Sequence, residues 1–264
     1  SWLVLPQLDA VVVRLALLGW LVPVAVAFSA RNFPLFIWSR LPSPRALQVG
    51  VFLLLAGLAI ELPARGLVDL PPATVDLGKA MEGAALLWLT IAIGALGPKR
   101  TPPGRMADPT EAAVARLSRW PLMGAYAWLA VAGVLLLVPA ITSLAGWLPP
   151  PEDAERHAIG AGFLLLLVVG MALRLLPGFA GIRHHTIHLG AARAAVAAAH
   201  VAALLRVAPL LISWAFPSST PFASWWNLGV ILVLSLSGAA GLAAVGCLAA
   251  ALRVTLTGTM KGRP

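Results

Sequence analysis

The residues able to do chemistry in this chain are few, and most of them are imidazoles. Five histidines, His157, His184, His185, His188 and His200, stand beside one cysteine and ten acidic residues in 264. Thiolate metal sites are thereby excluded, and membrane-embedded acids are too scarce for a carboxylate-rich dinuclear centre. What remains is imidazole ligation of haem or copper. His157 opens the apolar run HAIGAGFLLLLVVGMALRLLPGFAG, which carries Arg174 near its end. Ionisable groups at membrane depth are unfavourable by several kcal/mol unless they pair or act, so this segment is where function is sought first.

The elements that must position these residues follow from composition. The chain is 60% hydrophobic and 11% charged, outside the range of a soluble globule. It reads as an all-α polytopic transmembrane helix bundle forming a single domain over residues 1–264. Apolar runs near the length that crosses a bilayer give about seven spans. They are expected at Ala10 to Ala30, Ala46 to Leu62, Leu77 to Leu96, Pro121 to Leu148, His157 to Leu176, Leu189 to Ala215 and Trp225 to Val254. A short cytoplasmic surface helix is expected from Asp108 to Arg119, where Asp108 suits a cap, Pro109 the first helical position and Glu111 the first turn.

Loop charge orients the bundle. Arg31, Arg40 and Arg45 follow the first span, Lys99, Arg100, Arg105, Arg116 and Arg119 the third, Arg174, Arg183 and Arg193 the fifth; Arg253, Lys261 and Arg263 close the chain. Alternate loops carry Asp69, Asp76, Glu152, Asp153 and Glu155 or no charge. The positive-inside rule then places the N-terminus outside and the C-terminus inside. The net charge of +9 is a topology signal, and its dispersal over loops excludes a nucleic-acid-binding face.

Depth sorts the candidate ligands. Counting back from the turn shared by the fifth and sixth spans puts Arg206 within a turn of His157, near the outer face. The same counting separates His157 from His200 by about 13 Å at 1.5 Å per residue, so one iron cannot bind both. Arg206 could pair with a carboxylate such as a haem propionate, leaving His157 as the metal ligand; the alternative is an arginine reaching the interface beside a histidine in water. His200 is a candidate copper ligand or a neutral mid-helix imidazole bonded to a neighbouring helix. In HHTIH, His184 and His188 have the spacing of a chelating pair or of solvated loop residues. Glu61 and Glu82 sit where they can pair with Arg65 and Lys79, with proton uptake as the rival reading. Cys247 reads as a small packing residue, and the small residues around Ser237, Gly238, Gly241 and Gly246 as a close-packing surface.

The order His157, Ala158, Gly162, Gly170, Arg174, Gly178, Gly181 resembles the signature helix of the NnrS family of bacterial membrane proteins. ALLRVAPL at Ala203 to Leu210 resembles that family's next helix, and RNFPLF at Arg31 to Phe36 resembles an element ending an earlier one. The resemblance covers the family's C-terminal seven helices. It implies a protein of the bacterial inner membrane that carries haem, here haem b, and copper, and that is linked to nitric oxide metabolism. It implies cofactor-binding roles for His157, Arg206, Arg174 and Arg31, with His157 as the metal ligand; in the haem reading any copper would use His200. The family usually has a histidine where this chain has Phe179.

Two functional classes follow. One is a haem-binding redox or nitric-oxide-handling protein. The other is a cofactor-free structural or anchoring subunit of a larger respiratory or photosynthetic membrane complex, with other membrane subunits and the lipid bilayer as its partners.

Overall fold

A computed structural model describes residues 11–66, 70–98, 109–146, 148–179, 187–215 and 223–258. These form helices joined in series: α1 Val11–Phe36, α2 Pro44–Gly66, α3 Pro72–Ile93, α4 Pro109–Ala145, α5 Glu152–Phe179, α6 Leu189–Ala215 and α7 Ala223–Gly258. Six of them are long and apolar enough to cross a membrane. Large apolar side chains such as Phe52, Ile91 and Leu242 point outward, as lipid contact requires and water does not favour. The chain is a multi-pass membrane protein. α3 differs from the other six because Asp76, Lys79 and Glu82 fall in its first half.

Helices adjacent in sequence pack against each other from α2 through α7, and α1 lies on α2 and α3. The expected surface helix and fourth span are one helix. α4 runs on through Pro121, although the proline supplies no N–H to the helix there. At about 1.5 Å per residue it is some 55 Å long, so its first turns extend past any bilayer.

Two helices widen into seven-residue π-helical stretches, Leu15–Leu21 in α1 and Ala158–Leu164 in α5. Such stretches are rare and tend to sit at functional sites. One starts directly after Arg14 and the other directly after His157.

Tyr126 pins three helices together. Its fully buried ring takes Phe33 of α1 and Phe163 of α5 edge-on, at centroid distances of 5.2 and 5.3 Å. The glycines of α5 have a packing reason: a Cβ at Gly162 would lie 2.5 Å from Trp128 Cγ, and one at Gly170 2.6 Å from a Leu122 methyl. On α7 the small residues divide. Ser237 donates to the Ala202 carbonyl of α6 at 2.9 Å, whereas a Cβ added at Gly238, Gly241 or Gly246 would meet nothing within 4 Å among the described residues.

Candidate functional site

The site begins with a repeated local pattern. α2 and α3 each place a glutamate four residues, one helical turn, after a glycine: Gly57 with Glu61 and Gly78 with Glu82. The helices are antiparallel, so each glycine receives the other helix at its glutamate. A Cβ on Gly57 would stand 2.8 Å from both Glu82 Cγ and the Gly78 carbonyl oxygen. One on Gly78 would stand 2.7 Å from Glu61 Cβ and 2.9 Å from the Gly57 carbonyl oxygen. Backbone meets backbone, and both carboxylates are sealed from solvent at 0% exposure.

Arg14 of α1 closes the arrangement. Each guanidinium nitrogen takes a different carboxylate: Nε donates to Glu61, Nη2 to Glu82 Oε2 at 2.6 Å, and Nη1 to Glu155 of α5. Arg14 and Glu155 are each 3% exposed. A lone guanidinium in this position is strongly unfavourable, and three charge-assisted bonds offset the desolvation.

A second layer leads outward. Arg65 bonds Glu61 Oε1 and Glu152 Oε1, each at 2.6 Å, and Lys79 bonds Glu152 Oε1 at 2.7 Å. Arg156 reaches Glu152 at 3.4 Å and the exposed Asp153 at 3.6 Å, at the rim. The expected Glu61–Arg65 pair is present. Lys79, however, goes to Glu152, because Arg14 already holds Glu82.

His157 lies two residues beyond Glu155, so it faces away from Arg14 and toward α6. There Arg206 Nε donates to His157 Nε2 at 3.0 Å, which places Arg206 level with His157. His200 is six residues from Arg206, about 9 Å along the helix. Its half-buried ring packs on Gly124 of α4, where an added Cβ would come within 2.4 Å of Cε1.

The other sequence candidates are dispersed. Arg174 lies at the opposite end of α5, its guanidinium over the Phe36 ring at 5.2 Å. Arg31 is exposed, seventeen positions or about 25 Å along α1 from Arg14, and so stands apart from His157 and Arg206. His188 accepts from the Ala191 N–H at 3.1 Å and thereby caps α6. His184 and His185 lie outside the described residues, as do Lys99, Arg100 and Arg105. Among the described residues no group of three or more His, Cys, Asp or Glu is arranged to hold a metal ion.

Sequence reasoning missed Arg14 and Glu155. The signal for Arg14 was present, since it is the one charged residue between Ala10 and Ala30. Glu155 was indistinguishable from its acidic neighbours Glu152 and Asp153, and only the fold turns it inward. No protein-family model, curated protein or solved structure matches the chain.

Proposed function

We propose that this chain is an NnrS-like protein of a bacterial inner membrane that acts in redox chemistry or nitric oxide handling. In this reading it has seven crossings, with its N-terminus outside and its C-terminus inside. α3 is the seventh crossing, with Lys79 and Glu82 taken up by the network around Arg14 and Asp76 bonded to Ser143 of α4. One observation carries the reading: the three segments that resemble the family meet in pairs. His157 of the signature helix bonds Arg206 of the ALLRVAPL segment, and Arg174 of the same helix stacks on Phe36 of the RNFPLF segment. His157 and Arg206, both implied by the resemblance as cofactor-binding residues, are thus neighbours, and Arg174 touches the RNFPLF segment at Phe36, while Arg31 of that segment stands apart.

Haem binding in this arrangement requires that His157 first be released from Arg206. His157 would hold the iron and Arg206 a propionate, and His157 cannot ligate through Nε2 while that nitrogen accepts from Arg206. Among the described residues the hollows between α1 and α2, about 490 Å³, and between α6 and α7, about 400 Å³, are lined by apolar side chains and Gln48, with no histidine. When bound, haem would supply one-electron or gas-binding chemistry.

The same His157–Arg206 bond favours the second reading, a cofactor-free anchoring subunit. α7 agrees with it, since only 11% of its most apolar stretch is buried and most of that surface is free for lipid or a partner helix.

A dithionite-reduced minus oxidised visible spectrum of the purified chain, with pyridine haemochrome quantification, separates the two. Stoichiometric haem b that is lost in His157→Ala and loosened in Arg206→Ala supports the redox reading. A colourless protein sinks it and leaves the anchoring subunit.

A further inference from the structure

Glu82 is the carboxylate whose surroundings are incomplete. Its Oε2 accepts from Arg14, while Oε1 is buried without a hydrogen-bond donor among the described residues. An ionised oxygen so placed forfeits its hydration and gains nothing in return. A neutral carboxyl avoids that loss, because its O–H can turn to the Glu61 carboxylate, its neighbour on the same guanidinium.

Charge counting points the same way. Among the described residues three cations, Arg14, Arg65 and Lys79, face four carboxylates, Glu61, Glu82, Glu152 and Glu155. At the rim Arg156 and Asp153 offset one another. One negative charge is therefore in excess, in a place that excludes water. A buried charge without a counter-charge neutralises itself by taking up a proton.

We propose that Glu82 and Glu61 share one exchangeable proton on Arg14, which makes this network a proton-binding site. The groups that set its occupancy come from every neighbouring helix: Arg14 from α1, Arg65 from α2, Lys79 from α3, and Glu152 and Glu155 from α5. α4 contributes Gly133 and Leu137 against Gly83, and no charge, since the chain carries none from Trp120 to Pro151. Exchange with water runs through Arg65 and the half-exposed Glu152, which stand between Glu61 and the rim. Nothing in this proposal depends on haem, so a colourless protein leaves it standing.

Infrared difference spectroscopy of the full chain in an ester-free maltoside detergent, in H2O and D2O, tests it. At neutral pH the wild type shows a protonated-carboxyl C=O band that shifts in D2O, disappears at high pH and is missing from Glu82→Gln. Glu152→Gln removes the excess negative charge, so there the band titrates away at lower pH. Should Glu82→Gln fail to fold, the wild-type band and its displacement in Glu152→Gln still decide the matter. A wild type without the band at neutral pH, a band that does not exchange, one that survives in Glu82→Gln, or one whose titration Glu152→Gln leaves unmoved overturns the proposal.

Discussion

The two ends of the bundle treat arginine in opposite ways. At one end Arg14 is buried, and three carboxylates from three other helices converge on it. At the other, Arg119 lies over the Trp38 ring at 3.8 Å and Arg174 over Phe36 at 5.2 Å. There the cation rests on aromatic faces, partly exposed, with its charge within reach of water. Trp38 itself has a φ of 52°, a conformation that non-glycine residues seldom adopt. A guanidinium near the interface needs only a surface to lie on, whereas one inside the bundle needs compensating charge from several helices. Arg14 is therefore integral to the assembly of α1, α2, α3 and α5, and Arg119 and Arg174 are local anchors.

Breaking the buried end has the largest expected effect. Arg14→Met leaves Glu61, Glu82 and Glu155 without their shared partner, a loss of about 3–5 kcal/mol. Thermal unfolding in detergent, followed by circular dichroism, should show a collapse of the transition. Gly78→Leu comes next, because its side chain would drive into Glu61 and the Gly57 carbonyl and part α2 from α3. Overpacking of this kind destabilises by about 1–3 kcal/mol, and the same scans would show it together with a weakened Arg14 network.

Arg119→Met removes a single cation–aromatic contact and should lower stability by about 1 kcal/mol in the same assay. A loss as large as that of Arg14→Met would erase the distinction between the two ends. Smallest is Gly241→Leu on the open face of α7, which should lower stability of the isolated chain by less than about 0.5 kcal/mol, since helix propensity favours the leucine. Any larger loss, read from the unfolding midpoint, would mean that this face is packed.

The part of this organisation legible in the sequence was the part carried by averages. Apolar run length gave the helices, and the sixth span matches α6 residue for residue. Helical counting also placed Arg206 beside His157, because both lie on regular helix near one turn. The Arg14 network was not legible in the same way. A span-wide hydropathy average dilutes one arginine among apolar neighbours, and the carboxylates that neutralise it lie 47, 68 and 141 positions away. The local trace was the paired Gly57–Glu61 and Gly78–Glu82 spacing, whose meaning appears only once α2 and α3 are antiparallel. The π-helical stretches and the continuity of α4 through Pro121 have no comparable signature, since both depend on packing across helices.

Thermal unfolding of Arg14→Met with and without Glu61→Gln, Glu82→Gln and Glu155→Gln in the same chain tests the central claim most directly. If Arg14 and the three glutamates form one mutually dependent unit, Arg14→Met alone is severely destabilised and the combined variant recovers most of the loss. A mild Arg14→Met, or a combined variant as unstable as Arg14→Met alone, would contradict it.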